Sequence, residues 1–205
     1  MAFVLDLMYS MIIGAAILVS VLSANEIASE NQTVYNGNML VQELLVSTAQ
    51  LIEGEFRNMG FGVAQEDASV MLADTSKIKF LSDLGRDGGT IDSIEYRLGP
   101  TSELKKTMNE LDRYLHRYVN GVKTGSVGVV TIFRLRYFAR SGEQLTTPVA
   151  SDRLSEIHTV EVTMEVQNPH AIARREGEIE QGERDALYSI SLWQQTRLAS
   201  QNSRR

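Results

Sequence analysis

Hydrophobic positions along the chain fall into three regimes. From residue 2 to residue 24 nearly every side chain is apolar, with Asp6 as the one charged exception. At ~1.5 Å per residue, a helix of this length crosses a bilayer, which needs about 20 apolar residues. From residue 25 to residue 59 the apolar residues thin out. They recur at Ile27, Val34, Val41, Leu44, Leu45, Ile52, Phe56 and Met59, in steps of seven, four and three. That spacing marks one face of a helix. Asn31, Gln32, Asn38, Gln42, Glu43, Gln50 and Glu53 make the opposite, polar face. No proline intervenes, so the spacing predicts one continuous helix, and Gly60 and Gly62 end it as C-terminal glycines do.

Beyond residue 60 the period changes from helical to alternating. In EIHTVEVTMEVQN, His158, Val160, Val162, Met164 and Val166 share one face, and Thr159, Glu161, Thr163 and Glu165 share the other. This is a strand with its apolar side turned inward. Residues 126–138 (SVGVVTIFRLRYF) read as a second strand. Residues 77–81 and 91–98 flank the turn-rich SDLGRDGGT and form a predicted hairpin. Residues 111–121 are read as a strand, and residues 186–193 as the closing one. The charged stretch at about 169–186 lacks any period and reads as a mobile loop. The fold class is therefore α+β: a long N-terminal helix packed on an antiparallel β-sheet head. The expected division is residues 1–24 in the membrane, 25–60 amphipathic, and 61–205 globular.

Composition removes several function classes. The 205 residues carry a net charge of −6, which argues against nucleic acid as the main partner. There are no cysteines, so disulfides, thiolate metal sites and a cysteine nucleophile are excluded. Three histidines (His116, His158, His170) show no metal spacing and no neighbouring nucleophile. No catalytic residue and no cofactor is expected. Asp83, Asp87 and Asp92 lie in a glycine-rich loop that invites a calcium reading. Arg86 interrupts the pattern and Ile94 stands where a closing acid belongs, so a polar-capped hairpin turn is favoured over a metal. Arg113, Tyr114, Arg117 and Tyr118 suggest a basic-aromatic surface or, preferably, cross-strand Tyr–Arg stacking on a sheet.

The first segment has two other readings. Ser23-Ala24-Asn25 could serve as a signal-peptide cleavage site, but no Lys or Arg precedes Arg57 and the apolar run is long for a signal peptide. A buried soluble helix would need a polar face, which the run lacks. Acids on the far flank place the N-terminus inside and the remainder outside.

Ordered strings along the chain resemble the type IV pilins and type II secretion pseudopilins. FVLDLM before an apolar run is similar to the pilin N-terminus. LIEGEFRNMGFG, IKFLSDLGRDGGTIDSIEYRLG, VVTIFRLRYFARSGEQL and LWQQTRLASQN are similar to successive segments of the larger minor subunits, the PilW-like and pseudopilin J-like group. The resemblance implies a non-enzymatic subunit of the bacterial inner membrane with a periplasmic head. Its partners would be other pilin-like subunits in a filament-tip complex, the inner-membrane assembly platform and the lipid bilayer, with no nucleic acid. It assigns Asp6 to pairing with the amine of Ala2, on a neighbouring subunit or its own. It assigns Phe3, Leu7, Met11, Gly14 and Leu18 to packing between membrane helices, and Val41, Leu45, Ile52 and Phe56 to packing on the sheet. Counted from Ala2, Asp6 is the fifth residue, where pilins usually carry glutamate, and Met1 stands where their leader ends in glycine. The helix-bending proline of many pilins is missing. The competing reading is a tethered extracytoplasmic binding module, an adhesin or sensor, that never enters a filament.

Overall fold

The computed structural model describes residues 2–64, 68–85, 88, 90–104, 111–167 and 191–199. One helix, α1 (Ala2–Arg57), runs unbroken through the first quarter of the chain. At ~1.5 Å per residue its 56 residues form a rod of about 84 Å. Several of its hydroxyls bond within the helix, and Thr48 Oγ1 donates to the Val127 carbonyl of the head. Ser10 Oγ donates to the Asp6 carbonyl at 2.8 Å and Ser20 Oγ to that of Ala16 at 2.9 Å. Back-bonding of this kind lets serine sit in an apolar run without an unpaired donor.

The helix stops where the two glycines stand. Gly60 and Gly62 have φ of 77° and 79°, the left-handed region that side chains resist. The Gly60 amide then donates to the Leu81 carbonyl at 2.8 Å, so the chain leaves the helix directly onto the sheet.

Nine strands follow among the described residues, all in antiparallel pairs, and they divide between two sheets. The first sheet contains β1 (Val70–Ala73), β2 (Lys77–Ser82), β3 (Asp92–Leu98), β4 (Arg113–Val119) and β5 (Val122–Val130), in that order. The second contains β6 (Ile132–Ala139), β7 (Gln144–Leu145), β8 (Ile157–Gln167) and β9 (Ser191–Ala199), ordered β7-β6-β8-β9. The α+β layout, the hairpin β2–β3 and the strand at β4 lie where the pattern places them. The short strands β1 and β7 carry too few residues to show a period.

Several details differ from the sequence reading. The run 126–138 is two strands, broken at Thr131. The Thr131 amide and hydroxyl both donate to the Glu165 carbonyl, at 2.9 and 3.1 Å, and this turns the chain out of the first sheet into the second. His158 does not share the buried face of Val160. A bulge lies there, with Phe138 opposite Thr159 and Ala139 opposite Ile157, so Ile157 is buried instead. The closing strand runs to Ala199, and residues 186–190, like the charged stretch 169–186, lie outside the described residues.

A single apolar core joins the helix to both sheets. Val41, Leu45, Ala49, Ile52, Phe56 and Met59 of α1 are buried in it with Phe80, Tyr96, Leu115, Leu135, Tyr137 and Val162. Phe56 sits at its centre, edge-on to Phe80 and Tyr96 with ring centroids 5.3 and 5.7 Å away. The turn between β1 and β2 ties the sheets together: Leu135 N donates to Thr75 O at 2.7 Å, and the Tyr137 hydroxyl to Asp74 O at 2.8 Å.

Candidate membrane anchor and its coupling to the head

The helix has two environments. Every side chain from Phe3 to Thr33 is exposed. Contact with the head begins at Val34, about two turns later than the amphipathic pattern suggests, and Ile27 is 54% exposed. The helix is long and apolar enough to cross a membrane, and the apolar window is wholly uncovered by the head. Phe3, Leu7, Met11, Gly14 and Leu18 all lie on this exposed part, and a Cβ built on Gly14 meets nothing within 4 Å.

Asp6 is exposed, and among the described residues no donor reaches its carboxylate. Met1 and the side chain of Ala2 lie outside the described residues. Position along the rod is informative. At ~1.5 Å per residue Asp6 is about 27 Å from Ala24, against a hydrocarbon core of ~30 Å. When Ala24 lies at one margin of the core, Asp6 lies within a few ångströms of the other. The carboxylate reaches the interface there, where its burial cost is far below that at the midplane.

The predicted sheet-packing residues Val41, Leu45, Ile52 and Phe56 are all buried. The polar residue that completes their grip, Glu55, is one that sequence reasoning missed. It accepts from Arg117 Nε at 3.0 and 3.1 Å, from Arg117 Nη2 at 2.6 Å, and from the Tyr96 hydroxyl. Arg117 Nη1 donates on to Thr124 Oγ1 at 3.1 Å. The side chains of Arg117 and Glu55 are 19% and 13% exposed, so the bidentate pair is largely shielded from water. Burial, then the charge and hydrogen bond of Glu55, push the Tyr96 hydroxyl well above its ordinary range. The tyrosine stays protonated and acts as a donor.

Strand alternation explains why the four residues singled out in β4 do not form one surface. Arg117 lies opposite Tyr96 on the inner face, while Tyr114, His116 and Tyr118 lie on the outer one. The stacking that does occur joins Arg97 of β3 to Tyr118, with the guanidinium 4.3 Å from the ring centroid. His116 is buried between Tyr114 and Tyr118, its Nε2 2.6 Å from Glu103 Oε2. Gly99 makes room for it, since a Cβ there would come within 2.8 Å of Nε2.

On the outer face of the second sheet, Glu161 is also unlike its sequence reading. It points away from the apolar side as predicted, yet it is only 1% exposed. Arg136 and Arg197 flank it in register on β6 and β9, at 3.4 and 2.7 Å. Burial alone would raise its carboxyl. The hydrogen bond and charge of Arg197, with help from Gln195 and Arg136, outweigh that and hold it below the usual carboxylate range.

The aspartate-rich loop behaves as a capped turn. Gly88 N donates to Asp83 Oδ2 at 2.9 Å, and Asn120 Nδ2 donates to Asp92 Oδ1 at 2.7 Å. Among the described residues no hydrogen-bond partner reaches the buried Asp83 Oδ1. Asp87 lies outside the described residues, among which no group of three His, Cys, Asp or Glu side chains is placed to hold a metal. His158 is half-buried and His170 lies outside the described residues. No family model, curated protein or solved structure matches the chain.

Proposed function

We propose that this chain is a non-enzymatic assembly subunit of the minor pilin or pseudopilin kind. It sits in the bacterial inner membrane by a single N-terminal span, with the head outside, and helps to initiate or cap a filament through helix–helix packing. The observation that carries this reading is the division of α1. One half is apolar all round and touches nothing of its own head. The other half is locked to that head by a core and a shielded ion pair. An anchor alone needs only the first half. An unbroken 56-residue helix joined this firmly to a head suits a part that must transmit position and force between membrane and exterior.

The string-by-string resemblance to the larger minor pilins supports the same reading. Within it, Asp6 is the residue that registers one subunit against the next. Its place at the margin of the apolar core keeps it compatible with insertion, while an amine of a neighbouring subunit would neutralise it during assembly. The test is Asp6→Ala in the native cell. The variant is expected to fractionate with the membrane at wild-type level and to be missing from sheared filaments or from cross-linked subunit complexes. Normal incorporation of the variant refutes the pairing. A wild-type chain found in membranes but never with other pilin-like subunits supports the tethered binding module instead.

A further inference from the structure

The head and the back of the helix carry opposite charge on opposite sides of the molecule. On the outer face of the first sheet, Lys79 of β2 and Lys123 of β5 stand at the two ends of one cross-strand row, Lys79–Glu95–Tyr118–Lys123. Lys77 and Arg97 lie in the adjacent row. Glu95 lies 3.4 Å from Lys77 and 3.9 Å from Arg97, while Lys123 Nζ stands 3.4 Å from His116 Nε2, which Glu103 also meets. The helix, by contrast, contains no Lys or Arg before Arg57 and carries Glu26, Glu30, Glu43, Glu53 and Glu55 beyond the span. Its buried side rests on the inner face of that same sheet, through Phe56 on Phe80 and Tyr96, so its exposed back points the other way.

That back has a pattern of its own. Met39, Glu43, Val46, Gln50 and Glu53 follow steps of four, three, four and three, and at ~100° per residue they fall within an arc of about 80°. Met39 and Val46 are 62% and 44% exposed, large apolar side chains that the head leaves in solvent. The spacing of charges matches across the two surfaces. Glu43 and Glu53 are about 15 Å apart along the helix, and Lys79 and Lys123, three strands apart, are separated by about 14 Å. A helix laid across the strands brings each acid to a lysine and sets Val46 and Gln50 between them, over Glu95 and Tyr118.

We infer that the outer face of the first sheet is a docking surface for the helix back of a second copy of this chain. Because the two surfaces lie on opposite sides of one molecule, the contact is heterologous and repeats rather than closing as a symmetric dimer. The Glu53–Arg57 pair within the helix is exposed and weak, and gives way to the lysine. The inference rests on the membrane-anchored reading, which brings copies side by side at a common height.

The experiment uses the full chain reconstituted in phosphatidylcholine vesicles, as a mixture of unlabelled and 15N-labelled copies. Flotation establishes insertion, and a zero-length carbodiimide then joins lysine to carboxylate only where they touch. Mixed-isotope peptides linking Lys79 or Lys123 to Glu43 or Glu53 are expected. Their yield should fall at least tenfold in 0.5 M salt and in the Lys79→Glu/Lys123→Glu variant. It should return, through residues of reversed sign, when that variant is mixed with Glu43→Lys/Glu53→Lys. Failure to float overturns the anchored reading and this inference with it. Flotation without these links, or links that survive the double lysine reversal at other sites, overturns the inference alone. Glu43 and Lys123 are exposed and Lys79 and Glu53 half-buried, and an unchanged melting curve for each variant shows that the fold is not the cause.

Discussion

Replacing Arg117 by methionine tests whether the helix is held to the head by a shielded charge pair or by the apolar core alone. The substitution keeps most of the side-chain volume and removes three hydrogen bonds to Glu55 and one to Thr124. Glu55 is left 13% exposed with the Tyr96 hydroxyl for company. Breaking a fully buried pair by deleting one partner costs about 3–5 kcal/mol, chiefly through the charge left behind, and the residual exposure here points to the lower end, about 3 kcal/mol. For a protein of this size that is a fall in melting temperature of roughly 6–12 °C. The assay is thermal unfolding of the full chain in detergent, followed by circular dichroism at the strand signal. The decisive comparison is Glu55→Leu/Arg117→Met. With no charge to strand, the double variant is expected to recover most of the loss, within about 1 kcal/mol of wild type, as apolar replacements of buried pairs commonly do. If the double variant melts as low as Arg117→Met, the stranded-charge account is wrong and the lost packing around Arg117 is the cause.

Two further predictions follow from the backbone and from buried hydroxyls. Gly62→Ala forces a side chain into φ +79° and sets its Cβ 2.9 Å from Asp83 Cβ, so it should destabilise by at least about 1–2 kcal/mol, whereas Gly54→Ala, in open space on the helix, should stabilise by up to about 1 kcal/mol; urea titration of both variants measures the contrast. Burial raises the hydroxyls of both Tyr96 and Tyr137 above the unfolded value near 10, so their contribution is complete below pH ~10 and is lost as pH rises, with a slope of about 1.4 kcal/mol per pH unit for each; Tyr96→Phe/Tyr137→Phe should flatten the alkaline limb of a stability-against-pH curve, and an unchanged slope would refute the assignment.

What the sequence made legible was governed by periodicity. The α1 register, its glycine stop and the inward residues Val41, Leu45, Ile52 and Phe56 follow from spacing over many turns, where a long pattern leaves little choice. The β2–β3 hairpin was equally readable because two strands flank an obvious turn. The division at Thr131 was not, since β-branched residues continue through it and the break depends on a carbonyl of Glu165, 34 positions away. The His158 bulge is a one-residue slip that alternation cannot reveal. Glu161 reads as an ordinary polar-face residue, Arg117 reads as a partner for tyrosine stacking, and Glu55 carries no signal of its own. Their burial comes from partners on other elements, and a single sequence does not say that Glu55 and Arg117 meet across 62 residues. The stripe of Met39, Glu43, Val46, Gln50 and Glu53 was visible in principle. It was masked by the stronger apolar face beside it, which holds most of the buried positions.

An unbroken α1 also makes the head an amplifier of tilt. A rod of about 84 Å pivoting at its membrane end by ~20°, an ordinary tilt for a single spanning helix, carries its far end sideways by roughly 29 Å. Without a proline hinge between the span and Val34, little of that swing is absorbed on the way. In a membrane-inserted chain the lateral reach of the head would be set by how the first 24 residues lean in the bilayer, and bilayer thickness would become a variable that decides which neighbours the head can meet.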